Sequence, residues 1–110
     1  QTTLSQLTGV EFVNSEVPSH FELAQTYPNP FNPTTEITFA LPKAGLVMLE
    51  VYDLTGRVVA TLVNQDLPAG THKVMWNARN GNGQSLASGV YLYRIASGEF
   101  VATRKMVLLK

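Results

Sequence analysis

The chain contains no cysteine, which excludes disulfides and thiolate metal sites. Charge is scarce as well. Asp, Glu, Lys and Arg make up 15% of the 110 residues, and eight basic side chains cancel eight acidic ones. A chain without a net field is not steered to polyanions, which argues against a nucleic-acid partner. No apolar run approaches the roughly 20 residues that span a bilayer. The longest near-apolar stretch, Leu46 to Val51, is broken by Glu50, so no membrane-spanning segment is expected. The chain opens Gln1-Thr2-Thr3, with neither an initiator Met nor a basic leader, and it reads as a piece excised from a longer protein.

Groups that do chemistry are equally sparse. The two histidines are His20 and His72; nucleophilic catalysis needs such a base within reach of a hydroxyl or thiol. His72 alternates with charged Lys73 and reads as a partly buried strand residue. The acids Glu22, Glu36, Glu50, Asp53, Asp66 and Glu99 are spread singly, unlike the paired carboxylates of a glycosidase. Asn77 to Gly83 has the alternating amides of a calcium loop without its carboxylates. It is expected to be shaped by Asn side chains bonding the backbone. Gly81-Asn82-Gly83 precedes no helical pattern and so forms no phosphate cradle; these read as hairpin glycines. No catalytic residue, metal ligand or cofactor site is expected, and the chain is not expected to be an enzyme.

What is present is a rhythm of short strands. Residues 1–20 lack a clear period and read as a linker to an absent upstream domain; a short edge strand through Val10, Phe12 and Val17 is the alternative. Phe21-Glu22-Leu23 alternates. Tyr27-Pro28-Asn29-Pro30-Phe31-Asn32-Pro33 follows. Its prolines forbid helix and remove ladder donors, predicting a rigid extended loop pinned by Tyr27 and Phe31. Ile37, Phe39 and Leu41 share one face of the next strand, and Val47, Leu49 and Val51 one face of another. Leu54-Thr55-Gly56 and Leu67-Pro68-Ala69-Gly70 read as turns flanking a strand over Arg57–Val63. His72, Val74 and Trp76 alternate next. Gly89–Ala96 and Phe100–Leu109 close the chain as two strands joined by Ser97-Gly98. About seven short strands, with turn signals every 8–12 residues or so, predict an all-β, antiparallel, immunoglobulin-like Greek-key sandwich over 21–110. Trp76, Tyr91 and Tyr93 are expected in its core.

Four segments, in order, carry a resemblance. They are Tyr27 to Pro33; Val51-Tyr52-Asp53-Leu54-Thr55-Gly56-Arg57-Val58-Val59; Leu67-Pro68-Ala69-Gly70 through Trp76-Asn77-Ala78-Arg79; and Ala87 through Ile95 with Lys105-Met106-Val107-Leu108-Leu109-Lys110. Over residues 21–110 the chain resembles the type A C-terminal sorting domain of the type IX secretion system, and more distantly the immunoglobulin-like domain of the flagellar hook-capping protein. One departure is Asn77, where many relatives carry Asp; Asn is expected to cap the same turn. The resemblance implies a signal domain that directs a cargo, commonly a secreted enzyme, from the periplasm across the outer membrane. The cargo would end secreted or attached at the cell surface. The implied partners are the outer-membrane secretion machinery and a sortase, with anionic lipopolysaccharide joined after processing. Processing would fall among Ser15 to His20. Translocon recognition would involve Gly89, Tyr91, Arg94 and Lys105, Met106, Val107, Leu108, Leu109 and Lys110. Tyr27, Pro28, Asn29, Pro30, Asp53, Gly56 and Trp76 would be structural. On physical grounds the last strand is expected to offer an open edge for main-chain pairing, guarded by Arg104, Lys105 and Lys110.

Two other readings are compatible with a sandwich of this kind. A carbohydrate-binding module would present a flat row of exposed aromatics. A structural domain of an extracellular assembly, such as a hook cap, would share the middle strands and the Gly-Val-Tyr segment.

Overall fold

Period-two burial runs through the chain. In Thr35–Leu41 every second side chain is buried, and the same holds through most of Gly70–Trp76 and Gly89–Ser97. Such strands bury one face and wet the other, so two sheets must meet face to face. The computed structural model describes residues 10–14 and 16–110. Among them eight strands occur in order: β1 Val10–Asn14, β2 Glu22–Leu23, β3 Thr35–Leu41, β4 Gly45–Tyr52, β5 Val58–Leu67, β6 Gly70–Trp76, β7 Gly89–Ser97 and β8 Phe100–Leu108. One sheet has the order β1-β6-β3-β2 and the other β5-β4-β7-β8, with every strand pair antiparallel. The chain changes sheet between β3 and β4, β5 and β6, and β6 and β7. Strands distant in sequence therefore become neighbours, as in a Greek-key, immunoglobulin-like sandwich.

The core lies between the sheets. Ile37, Phe39, Leu41, Val47, Leu49, Val51, Val74, Trp76, Tyr93, Ile95, Met106 and Leu108 are all buried. Trp76 packs against Phe31 at 5.9 Å and edge-on to Tyr91 at 6.1 Å. Its indole N–H donates to the Arg79 carbonyl at 3.1 Å. The expected burial of Trp76, Tyr91 and Tyr93 is met. His72 is fully buried rather than partly so, with its ring stacked on Phe39 and tilted against Phe12.

Four details differ from the sequence reading. Within the stretch read as linker, Val10–Asn14 pairs with β6, so the edge-strand alternative is realised for Val10 and Phe12 but not for Val17, which is exposed and in no strand; residues 1–9 and 15 lie outside the described residues. β5 runs on to Leu67, past the expected end at Val63, because the polar run Asn64-Gln65-Asp66 pairs with Met48, Val47 and Leu46 of β4. Inside the expected span, the register shifts opposite Leu49/Glu50 and Val51/Tyr52. A bulge inserts one residue and flips the following side chains to the other face. Gly81 and Gly83 do not join a hairpin of neighbouring strands. Residues 77–88 cross between sheets, closed locally by the Arg79–Ser85 bridge. The side chain that shapes this crossover is Asn80, not Asn77: Asn80 Oδ1 accepts from the N–H groups of Asn82 and Gln84 at 2.9 and 3.0 Å.

Trp76→Ala should destabilise the domain by about 3–5 kcal/mol through lost burial and a residual cavity, measured by urea unfolding. An unchanged midpoint would mean the indole does not seal the core.

Candidate functional site

Two of the segments singled out from the sequence, Tyr27 to Pro33 and Lys105 to Lys110, meet on one side of the sandwich, where β8 forms the edge of its sheet. In the β7–β8 hairpin, Gly98 takes a φ of 60°, which glycine adopts without strain. Ser97 then faces Phe100, and Tyr91 faces Met106. Alternation turns Phe100, Ala102, Met106 and Leu108 inward, and Val101, Thr103, Lys105 and Val107 outward.

β8 is not an open edge along its whole length, contrary to expectation. Residues 23–31 lie alongside it and occupy its backbone groups. The Val107 N–H donates to Asn29 Oδ1 at 2.9 Å, and the Phe31 N–H donates to the Val107 carbonyl at 2.9 Å. The Leu109 N–H donates to the Phe31 carbonyl at 2.9 Å. Gln25 Nε2 donates to the Lys105 carbonyl at 2.8 Å. Arg104 Nε donates to the Leu23 carbonyl at 2.6 Å. Behind this seam, the buried Tyr93 hydroxyl donates to the Ala24 carbonyl at 2.7 Å and accepts the Thr26 N–H at 3.0 Å. Burial pushes the Tyr93 phenol above its ordinary pKa.

The prolines explain why this segment can act as a seam. A chain carrying Pro28, Pro30 and Pro33 cannot become a regular strand, so it meets the β8 end through the Asn29 side chain and one parallel bridge at Phe31. The prolyl bonds at 28, 30 and 33 are cis. Phe31 is buried and anchors the loop. Tyr27, expected to be a second anchor, is 78% exposed; the loop is held there by its main chain, which exchanges bonds with Glu36 at 3.1 and 3.0 Å. Thr35 Oγ1 adds a bond to the Pro28 carbonyl at 2.8 Å.

The expected recognition residues divide by exposure into three groups. Met106 and Leu108 are fully buried, and Tyr91 is nearly so, its hydroxyl donating to the Ala87 carbonyl at 2.7 Å. These three support the fold and offer no surface. Gly89 starts β7 and is half-buried, while Val107 is half-buried under the seam. Lys105, Leu109 and Lys110 are exposed, with the Lys110 N–H bonded to Ser88 Oγ at 3.0 Å. Arg94 lies on the outer sheet face beside Lys105, on the adjacent same-face rung, and pairs across with Glu50. Glu50 accepts the Tyr52 hydroxyl at 2.7 Å, which holds the Tyr52 phenol above its usual pKa. Sequence reasoning missed Gln25 and Arg104 as seam residues. Their partners are backbone carbonyls about 80 residues away, and nothing local announces them.

The expected structural role of Asp53 is borne by its carboxylate. Its Oδ1 accepts from the Thr55 hydroxyl at 2.5 Å, the Thr55 N–H at 2.9 Å and the Arg57 N–H at 3.1 Å. Gly56 completes the β4–β5 turn with a φ of 90°. The Thr55 hydroxyl bond, followed by the backbone bonds, holds Asp53 below the ordinary carboxylate pKa.

The geometry defines an immunoglobulin-like β-sandwich whose closing strand is sealed by a proline-rich loop. The chain belongs to the FlgD Ig-like domain family, whose model matches residues 25–99. In fold it is similar to latent PorU of Porphyromonas gingivalis, with TM-score 0.65 and 21% identity over 88% of this chain. It is similar also to PorZ of the same organism, with TM-score 0.55 and 23% identity over 96%. FlgD of Xanthomonas campestris matches with TM-score 0.54 and 22% identity over 97% of this chain and 74% of its own. The chain covers only 10% of the PorU chain and 12% of the PorZ chain. No match was found among curated proteins.

Asn29→Ala should accelerate amide hydrogen exchange at Val107 selectively and cost about 1 kcal/mol; unchanged protection at Val107 would show that the seam does not hold the strand. Asp53 should contribute stability above its unfolded-state pKa and lose it as pH falls through its lower folded-state value. Asp53→Asn should therefore unfold with a shallower acid dependence below pH 3.8 than the parent, measured as the urea midpoint against pH.

Proposed function

We propose that this chain is a non-catalytic C-terminal signal domain that directs a cargo protein across the outer membrane by the type IX secretion system and on to surface attachment. The observation that carries this reading is the seam. The Tyr27–Pro33 motif and the Lys105–Lys110 motif, far apart in sequence, form one hydrogen-bonded unit. That unit presents Lys105, Leu109 and Lys110 to solvent beside Arg94. The shared fold with PorZ, described as an essential surface component of the type IX secretion system, supports the same reading. A rigid surface of this kind loses little ordering entropy on binding, so one receptor could serve many cargoes. Secretion machinery, a sortase and an upstream cargo domain are the partners this role requires, with lipopolysaccharide as the attachment acceptor.

A second reading, a structural domain of an extracellular assembly, draws on the family match and on the likeness to FlgD, described in connection with hook capping essential for flagellar assembly. The two readings differ in whether the exposed cations govern export.

Deleting Lys105–Lys110 should trap a fused cargo inside a host that carries the type IX machinery, but it also removes Met106 and Leu108 from the core. The cleaner variant is Lys105→Glu with Lys110→Glu, which changes solvated side chains only and should leave stability within about 0.5 kcal/mol. Surface-exposed cargo should fall sharply while the domain remains folded. Parent-level export from the folded double variant would overturn the recognition role and favour the structural reading.

A further inference from the structure

We infer that the outer edge of β6 is a strand-acceptor site with β1 as its built-in ligand, so that a chain cut between β1 and β2 stays joined to its upstream piece without a peptide bond. Among the described residues, β1 joins the sheet through β6 alone. Its register places Val10 opposite Val74, Glu11 opposite Lys73 and Phe12 opposite His72. Val10 is 3% exposed and belongs to the core. The Phe12 ring tilts onto His72 with centroids 5.1 Å apart. On the opposite face, Glu11 Oε1 lies 3.8 Å from Lys73 Nζ. The β6 edge therefore reads an apolar–acid–apolar pattern: Val74 and His72 receive the apolar side chains, and Lys73 the acid between them. A slip of one residue would press Glu11 against the buried imidazole and turn Phe12 to water.

Nothing in this contact passes through the connection to β2. That connection leaves β1 at one edge of the sheet and re-enters as β2 at the other. Val17, Ser19 and His20 are exposed along it, and residues 17–20 lie in no strand. A cut in residues 17–20 removes no β1–β6 bond; it only turns an intramolecular pairing into a bimolecular one. The ligand class is an extended peptide with apolar residues two apart around an acid, held by main-chain pairing and read by alternate side chains. In a processed protein, separation would then need a peeling step after the cut. The inference rests on the fold alone and does not depend on the sorting role.

The test uses the full chain with a site-specific protease sequence inserted between Pro18 and Ser19. After cutting at high micromolar concentration, both pieces should co-elute from a sizing column with Trp76 emission unchanged, and should separate on dilution. A synthetic peptide of residues 8–16 should displace the cut piece. The same peptide with Glu11 and Phe12 exchanged should not, even in excess. Separation of the pieces at every concentration, equal displacement by the exchanged peptide, or loss of Trp76 emission on cutting would each overturn the proposal. Because every readout is on purified protein, failure here and failure of export are separate results.

Discussion

An edge strand carries a row of outward N–H and C=O groups that its own sheet cannot satisfy. On β8 that requirement is met by residues 23–31, and the sandwich closes on that side because of it. Asn29, Phe31 and Gln25 take the outward groups at Lys105, Val107 and Leu109, while Arg104 and Tyr93 reach back to the main chain at Leu23, Ala24 and Thr26. The seam couples a segment leaving one sheet to the last strand of the other, and it buries Phe31 against Trp76 in the process.

Both sheet edges near the start of the chain are handled differently from this one. β2 is only two residues long, and short edge strands offer little template for unwanted pairing. β1 blunts the β6 edge by occupying it, with Glu11 and Lys73 placing opposite charges on its outer face. Lys73 also lies 3.9 Å from Glu36, so the outer face of the first sheet is laced with charge. The outer face of the second sheet has Leu46 and Val101 exposed and the Glu50–Arg94 rung at its centre. The two faces are joined by the sealed side, and the cations of the last strand sit there.

Alternation made most of the fold legible. Ile37, Phe39 and Leu41, then Val47, Leu49 and Val51, then Val74 and Trp76 fall on inward faces by period alone, because strand geometry sends successive side chains to opposite faces. The sequence reading ends β5 at Val63, since polar Asn64-Gln65-Asp66 show no apolar alternation and only their pairing with β4 makes them strand. It gave Gly81 and Gly83 to a hairpin, since a local turn signal does not reveal whether its flanking strands share a sheet. It took β8 for an open edge, since the bonds that cover it come from a loop almost eighty residues upstream.

Local chemistry, then, was determined by the sequence itself: strand periodicity, the proline-rich loop that could not be a strand, and the Asp53 and Asn80 turns built on side-chain-to-backbone bonds. The burial of Met106 and Leu108 beside the exposure of Lys105 follows from the same alternation. Only the tertiary structure decided that the prolyl loop lies against β8 and that Val10–Asn14 docks on β6. Those outcomes depend on which backbone groups are left unpaired once two sheets have formed, and no single segment carries that information.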